Sequence, residues 1–271
     1  MKIRAGYRIG FECVQRATIV LMLSTRWERR QDLLTPDLLG VEPYRPIRQY
    51  GDLYGNLCTR VVLEPGRTTF SADFLVQDSG QPDPVSPLAI QHPVEDLPDE
   101  ALIYLLASRY CDTQELMQTA WALFGNSKPG WDRVQAIVQY AHERIAFNYA
   151  HARPTRTASE AHSEQVGVCR DFAHLAITLC RCMNIPARYC TGYLGDIGIA
   201  PIDAPMDFSA WFQVYLGGAW HTFDARHNQP RIGRILIALG RDATDVAIST
   251  SFGQTDLVEF SVTTEEVMEG R

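Results

Sequence analysis

Five prolines fall within residues 78–98: Pro82, Pro84, Pro87, Pro93 and Pro98. Each fixes φ and removes a backbone donor, so neither a helix interior nor a central strand runs through this stretch. Together with Asp78-Ser79-Gly80 it reads as an extended linker over 79–98. The fold is then set by what the residues on either side can form. A chain of 271 residues allows one large domain or two small ones. At 46% apolar it can bury a core without disulfides or metals.

Residues 1–78 read as β-rich. Ala17 to Leu23 is a short apolar run of buried-strand type, and Asn56 to Leu63 is a second strand. Glu64-Pro65-Gly66-Arg67 is a turn, and Thr68 to Val76 alternates as a third strand, so 57–76 is expected to be a hairpin. Tyr54-Gly55-Asn56 marks a tight turn before it. From Asp99 the period becomes helical. Helices are expected over Ala101–Tyr110, over Thr113–Phe124 with Asp112 as N-cap, and over Asp132–Ile145. A polar loop from Tyr149 to Gly167 precedes a fourth helix at Cys169. Strands follow at Ala187–Leu194, Phe208–Leu216, Trp220–Ala225, Ile235–Ile237 and Val246–Ile248. The fold class is α+β, with a β-rich N-terminal domain over 1–78 and a core domain over 99–271.

Several function classes drop out. Lys plus Arg is 25 against 32 Asp plus Glu, a net charge of −7, which leaves no basic footprint for nucleic acid. No run approaches the ~20 apolar residues that span a bilayer, so no membrane is expected as a partner. The start, Met1-Lys2-Ile3-Arg4, lacks a signal peptide's apolar core. Seven cysteines at scattered spacings argue for reduced thiols and a cytoplasmic location.

The informative helix reads Gly167-Val168-Cys169-Arg170-Asp171-Phe172-Ala173-His174-Leu175-Ala176 and onward. Phe172, Leu175, Ala176, Leu179 and Met183 share one apolar face, which buries that side. Gly167 sits where the chain must turn into the helix, leaving Cys169 in the first turn. The free N–H groups and positive dipole end there stabilise a thiolate and can donate to an oxyanion. A small buried hydrophobe is an equally good reading from position alone. Cys13, Cys58, Cys111, Cys180, Cys182 and Cys190 sit inside apolar patterns and read as core. Cys180 and Cys182 are not a metal pair, because residues two apart on a helix face different ways.

The ordered series of motifs resembles the bacterial transglutaminase-like superfamily. It comprises Gly167 to Ala173, Asn184-Ile185-Pro186-Ala187-Arg188-Tyr189, Thr191-Gly192-Tyr193, Asp207 to Tyr215, Trp220-His221-Thr222-Phe223-Asp224 and Gly240 to Val246. The first 78 residues are similar to the N-terminal domain that precedes the core in bacterial members. The resemblance implies a papain-like core, its cysteine helix packed on an antiparallel sheet, with a Cys–His–Asp triad. By motif the nucleophile is Cys169 and the acid is Asp224, but the His-Ala-Trp position reads Ser209-Ala210-Trp211. A serine hydroxyl cannot take a thiol proton near neutral pH. Ser209 can hold a water or hydrogen-bond the thiolate.

Three readings stay open. Another histidine serves, from His221, His227, His174, His162 or His151. The helix end alone stabilises the thiolate, and Cys169, Ser209 and Asp224 support slower chemistry. Or the fold is inactive and binds a partner. The resemblance implies an acyl-enzyme on peptide or peptide-like amides, with hydrolysis ranked above cross-linking. It also implies an association with ATP-grasp-type peptide ligation systems. No metal or organic cofactor is implied. Asp207 shares strand parity with Ser209 and can face the site or start the strand in solvent. Trp211 walls the site or joins the core. Arg226, Arg231, Arg234 and Arg241 read as scattered solvated arginines, and Glu265 to Glu269 as a solvated acidic end.

Overall fold

The computed structural model describes residues 1–200 and 206–267. Lys2–Cys13 (β1), Ala17–Leu21 (β2), Gly40–Glu42 (β3), Ile47–Gly51 (β4), Leu57–Leu63 (β5) and Gly66–Gln77 (β6) build the N-terminal part. Helices Asp99–Leu102 (α1), Thr113–Phe124 (α2) and Trp131–Arg144 (α3) follow. Next come Ala146–Phe147 (β7), helix Ala158–Glu164 (α4), Val166–Gly167 (β8) and helix Cys169–Cys182 (α5). The chain then runs through Ala187–Tyr193 (β9), Ser209–Leu216 (β10), Ala219–Phe223 (β11), Ile235–Gly240 (β12), Ser249–Phe252 (β13) and Asp256–Glu266 (β14). The architecture is α+β, as the pattern predicts.

The core sheet has the order β11-β10-β9-β12, all antiparallel, and α5 lies against β9 and β10. Every residue from Asp171 to Cys182 is buried, because α2, α3 and α4 cover the faces of α5 that the sheet leaves open. Only the first turn of this helix reaches solvent.

Two further four-stranded sheets, β14-β1-β6-β3 and β13-β2-β5-β4, and the short β7-β8 pair complete the sheets of the described residues. The expected 57–76 hairpin does not form. β5 pairs with β2 and β4, whereas β6 pairs with β1 and β3. Pro65 and Gly66 (φ +108°) carry the chain from one sheet to the other instead of folding it back. The reason is partner length: β1 offers β6 an unbroken ladder over 12 residues.

The division at 79–98 also omits a return crossing. β13 and β14, within the stretch read as core, pair with β2 and β1. Glu265 and Glu266 therefore end a strand, and both are exposed, as the solvated reading has them; Met268 and Glu269 lie outside the described residues. Inward side chains from the N-terminal sheets, such as Ile3, Phe70 and Phe74, join those of α5 and β9 in one continuous core.

Other differences are local. Ala101–Tyr110 is helical only to Leu102, followed by a single tight turn over Ile103–Leu105. Leu102, Ile103 and Leu106 are exposed, so no apolar face is available to hold a longer helix. The 149–167 loop contains α4, fixed by reciprocal bonds between Thr157 and Glu160. Asp112 stands at the N-cap of α2, but its carboxylate accepts from the Ser159 backbone and hydroxyl instead. Val246–Ile248 is not a strand; pairing begins at Ser249.

Candidate active site

Gly167 is extended and paired with Phe147 in the short parallel ladder of β7 and β8, so it makes no sharp turn. What requires glycine is proximity: a Cβ there would lie 2.7 Å from the Asp171 side chain. Asp171 is buried and caps the start of α5, accepting from Val168 N–H at 2.9 Å. Arg156 bonds the same oxygen at 3.1 Å and reaches Glu164 at 2.9 Å. Arg170 lies over the Tyr110 ring and bonds the Arg153 carbonyl. These contacts fix the helix start, so Arg170 and Asp171 are structural, and they set Cys169 as its first residue.

Cys169 is half-buried on the wall of a groove of about 450 Å³. Tyr110, Arg153, Tyr189, Asp207, Ser209 and Phe260 also line that groove. The helix end by itself lowers the thiol pKa. Burial instead pushes it up to about 11. Arg226 and the backbone N–H groups of Ala210 and Arg170 pull downward, and Asp207 pushes up with the burial. Tyr149 stands beside Cys169, Asp207 and Arg226, and burial and the two acids raise its pKa. Nothing in the polar run from 149 to 167 singles out Tyr149, because its role comes from where the loop returns to the sheet. Asp207 faces the site rather than solvent. Burial raises its carboxyl, against the Phe208 N–H and Arg226.

Ser209 opens β10 opposite Gly192, and Asp224 follows β11, the neighbouring strand. Asp224 is buried, and its partners are Arg234 (2.9 Å) and the backbone and ring nitrogens of His227 (3.0 and 2.9 Å). Burial alone would raise its carboxyl; Arg234 and His227 outweigh that and hold it well below the usual carboxylate range. Arg234 is itself buried between Asp224 and Asp83 and lies over the Trp211 ring. Trp211 thus packs in the core beneath Arg234 and is not on the groove wall.

Four of the five candidate histidines have ring partners in the fold, and the fifth, His151, is exposed. His227 folds back onto Asp224. His174 is fully buried, stacks on Tyr110 and accepts from Ala243 N–H; burial pushes it down to about 3. His162 bonds Tyr140, and His221 bonds the Leu216 carbonyl. His151 ends a tight turn, and its carbonyl accepts from Arg156. The Arg231 and Arg234 side chains are buried, contrary to the solvated reading; Arg241 pairs with Asp245 nearer the surface.

A cysteine opening a buried helix, facing an antiparallel sheet whose neighbouring strands end in a polar residue and an acid, defines a papain-like thiol fold. Residues 118–225 match the Transglutaminase-like superfamily, a span that includes Cys169, Ser209 and Asp224. That stretch is similar to a transglutaminase-like core. A Cytophaga hutchinsonii structure, provisionally described as a cysteine protease, is similar over 100% of this chain and 92% of that one. It has 28% identity and a TM-score of 0.85. The curated Mycobacterium leprae (strain TN) protein ML0607, itself uncharacterized, is 38% identical over 97 residues. That match spans 34% of this chain and 35% of the relative, about a third of its length. The periplasmic domain of Pseudomonas aeruginosa TgpA aligns over 81% of this chain and 75% of that chain, at 14% identity and a TM-score of only 0.39.

Proposed function

We propose that this protein is a thiol enzyme acting on amide or isopeptide bonds of peptide-like substrates, with Cys169 as nucleophile. The observation that carries the reading is the address of the thiol. It opens a buried helix, lines an open groove, and has two backbone N–H groups favouring its anionic form. Attack of Sγ on a carbonyl carbon in the groove expels an amine and leaves a thioester on Cys169. Water resolves it, since an open groove excludes no solvent, which ranks hydrolysis above cross-linking. Ser209 holds a water or hydrogen-bonds the sulfur. Asp224 anchors Arg234 and His227 behind the site. Asp207, kept closer to neutral by burial, is the group beside the thiol able to carry its proton to the leaving amine.

A second reading, a binding or scaffold protein on the same fold, draws on the raised Cys169 pKa and on serine at position 209. Mass spectrometry after incubation with a panel of peptide amides between pH 7 and 9 separates the two. A thioester adduct at Cys169, absent from Cys169→Ala, supports the enzyme. Peptide binding with neither adduct nor turnover supports the scaffold. All seven cysteines are unpaired, which supports the cytoplasm, and among the described residues no helix is long and apolar enough to cross a membrane. By resemblance, conjugates made by ATP-grasp-type ligation are the substrates to include first.

A further inference from the structure

Arg231 is 2% exposed, and among the described residues its Nε and Nη1 have no hydrogen-bond partner. Nη2 donates to the Gly195 carbonyl at 2.8 Å. Leaving two N–H groups of a buried guanidinium dry is costly, so such groups are met by protein, water or a ligand. Arg231 lines a cavity of about 40 Å³ together with Arg226, His227 and Tyr149. That volume takes a carboxylate or two or three waters, not a whole side chain. Its other wall is Asp207, Phe208 and Ser209, which also line the Cys169 groove. An extended chain in the groove can therefore place one group past Ser209 and into the cavity. Asp196 and Asp207 line the cavity too, so two arginines face two acids there.

We infer that this cavity is a carboxylate subsite: a substrate carboxylate seats on the unpaired edge of Arg231, beside Arg226, while the chain that bears it runs past Ser209 to Cys169. The inference deepens the proposed function and rests on its reading of the groove as a peptide site. A forked guanidinium recognises a carboxylate through two parallel N–H donors, and the matching amide cannot reproduce that charge. Two sources of the carboxylate share this chemistry, a peptide C-terminus and an acidic side chain.

The test is equilibrium binding of four probes to the unmutated protein and to Arg231→Gln. N-acetyl-alanyl-alanine and N-acetyl-glutamic acid amide carry the carboxylate at the C-terminus and on the side chain. N-acetyl-alanyl-alanine amide and N-acetyl-glutamine amide are their neutral partners. At least one acid should bind about tenfold or more tightly than its amide, and Arg231→Gln should erase that difference. Whichever acid shows the preference identifies the source. Equal affinity for acids and amides, no binding of either acid up to about 10 mM, or a preference that survives Arg231→Gln overturns the subsite. Because the variant alters a buried residue, a second readout uses the unmutated chain: the Arg231 Nε–H resonance should shift with the preferred acid and not with its amide. A resonance that stays put shows that water alone fills the cavity and sinks the inference. Binding is read without turnover. A protein that selects acids but never acylates keeps the subsite and loses the thiol enzyme; one that cleaves amides regardless of carboxylate does the reverse.

Discussion

With the Cys169 thiol pushed up to about 11, only about one molecule in 10⁴ carries the thiolate at pH 7. A free thiol near 8.5 is ionised to about 3% at that pH, roughly 300-fold more. The more basic thiolate is intrinsically more nucleophilic, which returns about tenfold over a 2.5-unit difference. Alkylation of Cys169 by iodoacetamide at pH 7 should thus run about 20- to 30-fold below a free thiol, before any loss from its half-buried position. Its logarithm should climb about one unit per pH unit to pH 10 without a plateau. Site-resolved mass spectrometry reads the rate, with the buried Cys180 and Cys190 as internal references. Ser209→His supplies the paired perturbation: general-base assistance is worth about 10²–10⁴, so the pH 7 rate should rise at least tenfold, with an inflection near 6.5. A plateau below pH 8.5 in the unmutated protein would refute the argument that burial outweighs the helix end. A folded Ser209→His protein with an unchanged profile would refute the view that position 209 faces the thiol.

Three other outcomes follow from named contacts. Arg234→Met leaves Asp224 buried without its cation and should cost about 3–5 kcal/mol in urea unfolding. Because the folded Asp224 carboxyl is held low, its stabilisation is present above about pH 4 and is lost as pH falls further toward its folded value; the variant should lack that acid-sensitive portion. His174 is neutral in the fold with its pKa pushed down to about 3, while the unfolded side chain takes a proton below about 6.5. Stability should therefore fall by up to ~1.4 kcal/mol per pH unit on acidification from 6.5 to 4.5, and His174→Phe should flatten that slope. Gly167→Ala drives a Cβ into Asp171 at the start of α5, so a loss of about 1–3 kcal/mol is expected by thermal unfolding, with faster proteolysis near Cys169.

Local pattern and residue chemistry make part of this protein legible from its residues. The helix start at Cys169, the core strands at 187, 209, 219 and 235, and the strand-borne pair Ser209 and Asp224 all carry short-range signals: hydrophobic period, turn residues and motif order. The cap on α4 is equally local, written as Thr157 and Glu160 three apart, but it is masked by the polar stretch around it. The rest depends on contacts between segments far apart in the chain. Strand partnership is long-range, so nothing between Leu57 and Gln77 shows that β5 and β6 turn to different sheets, or that β14 returns across the molecule to β1. Charge fate is also three-dimensional. Arg231 and Arg241 look alike in sequence, but one is entombed beside the Cys169 groove and the other pairs with Asp245 nearer solvent. The Cys169 pKa follows the same logic: the helix end that lowers it is visible in the chain, whereas the burial that outweighs it exists only once α5 meets the sheet.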